Sequence, residues 1–159
     1  MEGREPDAAA GPEREWLLTG IWGREVHLVD AESKYARAPT GANAPLSVYS
    51  NRWSTMPVPG LEVRMPDPDD RAWLDRMPGS SIPVIHQPFA AGDPVPYWAL
   101  GRFEGNQLFR LREDPAEEEN LAGTPAEGEA ADKLREVLVG LEAPREQLDR
   151  LGLLARPAT

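Results

Sequence analysis

Two histidines and no cysteine set the limits on what this 159-residue chain can do chemically. His27 lies in Glu25-Val26-His27-Leu28-Val29-Asp30, where a mid-strand position suits a sheet residue hydrogen-bonded locally. His86 lies in Ile82-Pro83-Val84-Ile85-His86-Gln87-Pro88, where a surface-loop position is the simpler expectation. No Gly-x-Ser-x-Gly elbow supplies a nucleophile to either, and no His-x-x-x-His pair places two zinc ligands on one helix face. The lack of cysteine removes disulfides, thiolate zinc sites and cysteine nucleophiles together. Asp67, Asp69 and Asp70 are closely spaced carboxylates, but they lack the Asp-x-Asp-x-Asp-Gly frame of a calcium loop, and Pro68 stiffens the chain between them. They read as a solvated acidic turn, as does the Glu117-Glu118-Glu119 run. Gly20-Ile21-Trp22-Gly23 lacks the spacing of a phosphate loop and the helix that should follow one. The densest polar and aromatic group is Tyr49-Ser50-Asn51-Arg52-Trp53-Ser54-Thr55. Its Asn and Arg offer directed donors and its rings offer flat apolar walls, which suits an anionic or sugar-like ligand. A loop pinned to neighbouring surface by its aromatics is the alternative.

The elements that must position these residues are those of one domain, since domains usually run about 100–200 residues. A net charge of −10 argues against a nucleic-acid binder, which needs a basic face to displace counterions, and against anionic membrane surfaces. Lys34 and Lys133 are the only lysines among 17 basic residues, a bias that suits a GC-rich genome and gives any single Arg little functional weight. Mean hydropathy is −0.52, and 17 Pro with 14 Gly make the chain loop-rich. Five Trp and regular Leu and Val spacing still require a core. Residues 1–12 read as a disordered lead-in. The charged opening Met1-Glu2-Gly3-Arg4 lacks the apolar core of a signal peptide, and no apolar run approaches the ~20 residues of a membrane helix. The expectation is a soluble, cytoplasmic chain.

Glu15–Trp22 is apolar enough for a strand buried on both faces, and Glu25–Asp30 with Lys34–Ala38 form a hairpin. Between Pro39 and Trp98 fall eleven of the seventeen prolines, which predict a long irregular excursion. Within it Leu46–Tyr49 suits a short strand, and Asp67–Met77 suits a short helix with Trp73, Leu74 and Met77 on one side. Tyr97–Phe103, a Glu104-Gly105-Asn106 turn and Gln107–Leu111 read as a second hairpin. Thr124, Pro125 and Glu127 have the spacing of a helix start. Leu134, Val137, Leu138 and Leu141 make its apolar stripe. Pro144 then opens a short helix that Gly152 stops. The fold class is α+β: a small antiparallel sheet of about four strands packed against a C-terminal helix (residues 124–142), with the Pro-rich excursion (residues 39–98) inserted. Residues 13–154 make this unit and 155–159 a tail.

Three segments carry a family resemblance. Leu108-Phe109-Arg110-Leu111-Arg112-Glu113-Asp114-Pro115-Ala116-Glu117-Glu118-Glu119-Asn120-Leu121 resembles the "L-[YF]-D-L-x-x-D-P-x-E-x-x-N-L" segment near the C-terminus of sulfatases, with Arg110 standing where the family has Asp. Gly20–Asp30 followed by Lys34-Tyr35-Ala36-Arg37-Ala38-Pro39 is similar to that region's "V-x-V/L-x-D-x-x-Y-K-Y-x-R" hairpin. Ala143-Pro144-Arg145-Glu146-Gln147-Leu148-Asp149-Arg150-Leu151-Gly152-Leu153 resembles the "A-P-x-E-Q-x-x-R-L-G-L" tail of one sulfatase branch. The resemblance implies a C-terminal subdomain of an alkaline-phosphatase-superfamily sulfuric ester hydrolase. Such a piece packs beside the catalytic domain and helps shape its substrate cleft.

The family's nucleophile, a formylglycine made from the Cys or Ser of "C/S-x-P-S/A-R", has no counterpart here. Neither Ser54-Thr55-Met56-Pro57 nor Ser80-Ser81-Ile82-Pro83 continues to Arg. The resemblance implies that the divalent cation (calcium or magnesium) and the formylglycine belong to a missing domain, and the expectation is no cofactor in this chain. Its expected partner is a missing or separate sulfatase catalytic domain, with a homo-oligomer as a further option. Residues that could line such a cleft are His27, Asn51, Arg52, Trp53 and His86. Apolar surface left bare by the missing domain is expected around Trp16, Trp22 and Trp98. The other reading is a stand-alone, non-catalytic module that binds a small anion or a protein through the Asn51-Arg52-Trp53 loop.

Overall fold

A computed structural model of the chain describes residues 15–41, 43–51, 72–77, 79–89, 95, 99 and 102–154. The lead-in, the C-terminal tail, Arg52, Trp53, Asp67–Asp70 and Trp98 lie outside the described residues. Seven strands form two antiparallel sheets, and two helices follow. The larger sheet has the order β1 (Leu17–Gly20), β2 (Val26–Val29), β3 (Ser33–Arg37), β7 (Gln107–Arg110). The smaller has the order β4 (Leu46–Ser50), β6 (Pro83–Phe89), β5 (Trp73–Arg76). Helix α1 spans Pro125–Gly140 and α2 spans Arg145–Arg150. The fold is α+β, as the residue pattern predicts.

The register explains the core. Leu18 opposes Leu28, Leu28 opposes Tyr35 and Tyr35 opposes Leu108, so these four form one row across the larger sheet. Side chains alternate between sheet faces, and this row therefore shares the face that packs on α1. The helix answers with Ala126, Ala130, Leu134 and Leu138 at four-residue spacing, and Leu151 and Leu153 close the end. Leu134 and Leu151 are fully buried. Val137 packs on the same core, whereas Leu141 is 47 % exposed, because α1 ends before it at Gly140.

The helix start is built differently from a reciprocal capping box. Thr124 Oγ1 donates to the Leu121 carbonyl (2.8 Å) instead of accepting a helix N–H. Glu127 reaches back to accept the Gly123 N–H (2.6 Å), and its other oxygen accepts from Asn106 Nδ2 (2.6 Å), the Tyr35 hydroxyl (3.2 Å) and Arg37 Nη1 (3.3 Å). Burial acts to raise this carboxyl's pKa, but the Gly123 N–H, Asn106, Tyr35 and Arg37 together hold it below the ordinary value. At the far end of α2, Gly152 takes φ +65°, where a Cβ would meet Thr40 Cγ2 at 2.8 Å; only glycine fits that stop.

Four expectations change. β1 is an edge strand with Leu17 51 % exposed, since one of its faces and its outer edge have no sheet against them. Trp73–Arg76, expected in a helix, is a strand, because pairing with β6 sets a two-residue alternation that overrides local helix propensity. Most of the expected Tyr97–Phe103 strand (97, 98, 100 and 101) lies outside the described residues; residues 102–106 carry no strand, and β7 pairs with β3, where Tyr35 and Leu108 bury each other. The Pro-rich excursion contributes all three strands of the smaller sheet; Pro83 and Pro88 are tolerated at the start and toward the end of β6.

Asp30 links the β2–β3 turn to the helix. Its Oδ1 accepts the Glu32 and Ser33 N–H groups (2.8 and 2.7 Å), and its Oδ2 accepts from Lys133 Nζ of α1 (2.6 Å). Burial pushes this carboxyl up, yet the Lys133 bond and the two backbone bonds outweigh it and leave the pKa at about 2. A carboxyl depressed in the folded state stabilises fully above its unfolded value, near 3.8, and loses that contribution as pH falls toward 2. In urea melts, Asp30→Asn should therefore be less stable than wild type at pH 6, with the gap closing between about pH 4 and pH 2. Leu134→Ala should cost about 2–5 kcal/mol at every pH, because it opens a cavity at the centre of the sheet–helix contact.

Candidate functional site

The smaller sheet brings its chemistry to the face that looks toward α2. Tyr49 opposes His86 and Trp73 opposes His86 in register, so the three rings stand in a row on one face. His86 is stacked on Tyr49 (ring centroids 4.4 Å, planes 21° apart) and tilted against Trp73 (4.2 Å, 57°). It is a buried strand residue, 7 % exposed, which corrects the surface-loop expectation. Pairing on both sides gives β6 the centre of its sheet, and no local sequence signal carries that information.

Two carboxylates flank the imidazole. Asp75 Oδ2 lies 3.2 Å from Nδ1, and Glu146 Oε1 of α2 lies 3.5 Å from Nε2. At that distance and alignment Nε2 has no hydrogen bond. Asp75 is held below the ordinary carboxyl range, first by the Arg76 backbone N–H and then by His86 and Trp73. The Tyr49 hydroxyl donates to Glu146 Oε1 (3.2 Å), and burial together with that carboxylate raises its pKa well above the ordinary tyrosine value. Tyr49 thus stays protonated and acts as a donor, not a nucleophile.

Beyond Tyr49 and Glu146 opens a cleft of about 590 Å³ between β1, β4 and α2. Leu18, Ile21, Trp22, Val26, Leu46 and Leu138 give it apolar walls. Trp22 is fixed by its Nε1 bond to the Ser47 carbonyl (2.8 Å) and by a tilted contact with Phe89 (5.0 Å). Arg150 contributes to the lining while only 2 % exposed. Its Nε donates to Gln147 Oε1, its Nη1 to Asn43 Oδ1 and its Nη2 to the Arg24 carbonyl, at 3.1, 2.8 and 3.1 Å. Composition gave this arginine no weight; what could have flagged it is its place in a tail whose Leu151 and Leu153 are core residues.

His27 lies on the sheet face opposite the Leu18–Leu28–Tyr35–Leu108 row, opposing Thr19 and Ala36, and is separate from the cleft. Asn51 follows β4 as an exposed residue; Arg52 and Trp53 fall outside the described residues. The structure therefore joins His86 to Tyr49, and leaves His27 apart. Trp16 and Trp22 are half-buried, and among the described residues the bare large apolar side chains are Leu17, Ile21, Trp73, Leu74, Met77, Ile82, Val139 and Leu141.

Among the described residues no group of three or more His, Asp or Glu is placed to hold a cation. His86, Asp75 and Glu146 fail for a geometric reason: the carboxylates face opposite nitrogens of one ring and cannot converge on a single ion. These residues do not fit the divalent cation that sulfatases use. Their arrangement is a clamp, with the imidazole as a spacer joining β4, β5, β6 and α2.

His86→Ala removes both ring contacts and should cost about 1–3 kcal/mol. The loss should be local: amide hydrogen exchange should speed up across β4–β6 and stay unchanged in the centre of α1. Equal acceleration in α1 would mean the clamp is part of the main core.

Compared with protein-family models, curated proteins and solved structures, the chain matches none.

Proposed function

We propose that the chain is the C-terminal subdomain of a sulfatase-type hydrolase, which packs on a catalytic domain and helps shape its sulfate-ester cleft without being catalytically complete itself. What supports this is that the three segments resembling sulfatases make one side-chain-linked frame. Lys34 of the hairpin segment bonds Glu117 of the Asp-Pro segment (2.5 Å), and Arg37 of the hairpin donates from Nε to the Leu151 carbonyl of the tail segment (2.8 Å).

Three of the matched residues also have a physical task. Asp114 turns the chain by accepting the Glu118 and Glu119 N–H groups (3.0 and 2.8 Å). Asn120 Oδ1 accepts the Leu108 and Ala122 N–H groups, its Nδ2 donates to the Asn106 carbonyl, and the Leu121 N–H bonds the Leu108 carbonyl. The segment so extends β7 with a side-chain partner before α1 begins. The exposed Leu17, Ile21, Leu74 and Ile82, each more than half accessible, suit a partner surface. In this reading the catalytic nucleophile and cation come from the partner domain.

The test is immunoprecipitation from source cells with an antibody raised against residues 105–122. The precipitate should contain a band much heavier than 17.5 kDa, or a second chain, and should hydrolyse p-nitrophenyl sulfate with calcium or magnesium present. The purified 159-residue protein should hydrolyse none. A 17.5 kDa band precipitating alone and inactive would remove the sulfatase reading, and activity from the purified chain would remove the claim that it is incomplete.

A further inference from the structure

We infer that the cleft between β1, β4 and α2 binds a small organic cation: a protonated amine or a quaternary ammonium carried on an aromatic or aliphatic body. The inference stands without the sulfatase reading, because every residue it uses lies in this chain. Three observations carry it. The first is size and lining: about 590 Å³ with Leu18, Ile21, Trp22, Val26, Leu46 and Leu138 on the walls, within the ~300–1,000 Å³ range of small-molecule sites.

The second is the charge. Glu146 presents a carboxylate to this apolar space, with its side chain 23 % exposed. Oε1 accepts the Tyr49 hydroxyl, and Oε2 has no hydrogen-bond partner among the described residues. Arg150, the one cation in the lining among the described residues, does not neutralise it. Its guanidinium bonds Gln147, Asn43 and the Arg24 carbonyl instead, all neutral acceptors. An anionic ligand would therefore meet the half-buried negative charge before the fully buried positive one.

The third is the wall. Trp22 is locked by its bond to the Ser47 carbonyl and its contact with Phe89, so it presents a preorganised aromatic surface, the best side-chain partner for a cation. Ammonium against Glu146 and Trp22, with an apolar body along Leu18, Val26 and Leu138, matches both kinds of surface in one ligand.

Isothermal titration of the full chain with benzylamine at pH 7.5 tests this, with benzyl alcohol and benzoate as neutral and anionic controls of similar shape. Benzylammonium should bind saturably with 1:1 stoichiometry, and both controls at least tenfold more weakly. Glu146→Gln should weaken benzylammonium at least tenfold while keeping an acceptor for Tyr49, with an unchanged thermal melt. Ile21→Lys, a substitution at a position 56 % exposed, places a tethered ammonium at the rim and should also weaken binding at least tenfold. Absence of saturable binding, equal binding of benzyl alcohol, or unaltered binding in both variants would each overturn the proposal. If Glu146→Gln melts early, Ile21→Lys alone decides.

Discussion

A guanidinium buried against neutral partners is the constraint on which this structure turns. Arg150 is 2 % exposed and bonds a side-chain amide of its own helix, the Asn43 amide and the Arg24 carbonyl. Burying a charge is expensive unless its hydrogen bonds are met, so the three segments that supply them cannot drift apart without stranding it. Burial pulls its pKa down to about 10, against a favourable field from Glu25, so it remains charged at neutral pH. The Arg150 carbonyl meanwhile accepts the Thr40 N–H and hydroxyl (2.8 and 3.1 Å), and Asn43 Nδ2 donates to the Gly23 carbonyl (2.8 Å). One side chain and its neighbours thus fix α2, the β1–β2 turn and the chain at Thr40 and Asn43. The first two of these segments line the cleft.

Two regimes of cohesion follow. The larger sheet and α1 are held by apolar burial, with Leu28, Tyr35, Leu108, Leu134 and Leu138 in one cluster. The smaller sheet contributes only Val84 to the buried apolar set and depends on rings and polar contacts: His86 between Tyr49 and Trp73, and Tyr49 on Glu146. Segments with few buried apolar contacts open at lower free energy than core elements. The cleft therefore has a firm wall where α1 contributes Leu138 and a softer one from β4. That difference suits a site that must admit a ligand, or a surface that settles against a larger partner.

Much of the frame was legible from residue spacing. The β2–β3 hairpin, the apolar stripe of α1, the stop at Gly152 and the Asp114–Asn120 turn all follow from local chemistry. In each case the signal and its consequence lie within a few residues, as in the stripe of Leu134, Val137 and Leu138. The polar site was legible only in part. Tyr49 and Asn51 belong to the cluster singled out by composition, yet the ring partner of Tyr49 is His86, 37 positions away, and its acceptor is Glu146, 97 positions away.

Local propensity also misled where pairing at a distance reset it. Trp73–Arg76 has helix-compatible residues but becomes a strand because β6 offers backbone partners and His86 a ring surface. Gln107–Arg110 leaves its neighbour in sequence for β3, since Tyr35 and Leu108 bury each other there. Residue pattern was enough for the class of fold, the β2–β3 hairpin, the C-terminal helices and the lack of a cysteine nucleophile, because periodicity, turn residues and composition act over short range. The burial of His86, the fastening by Arg150 and the placing of Glu146 against an apolar cleft emerge from the assembled fold alone. Burial and charge compensation are properties of groups brought together from distant positions, and no single segment contains them.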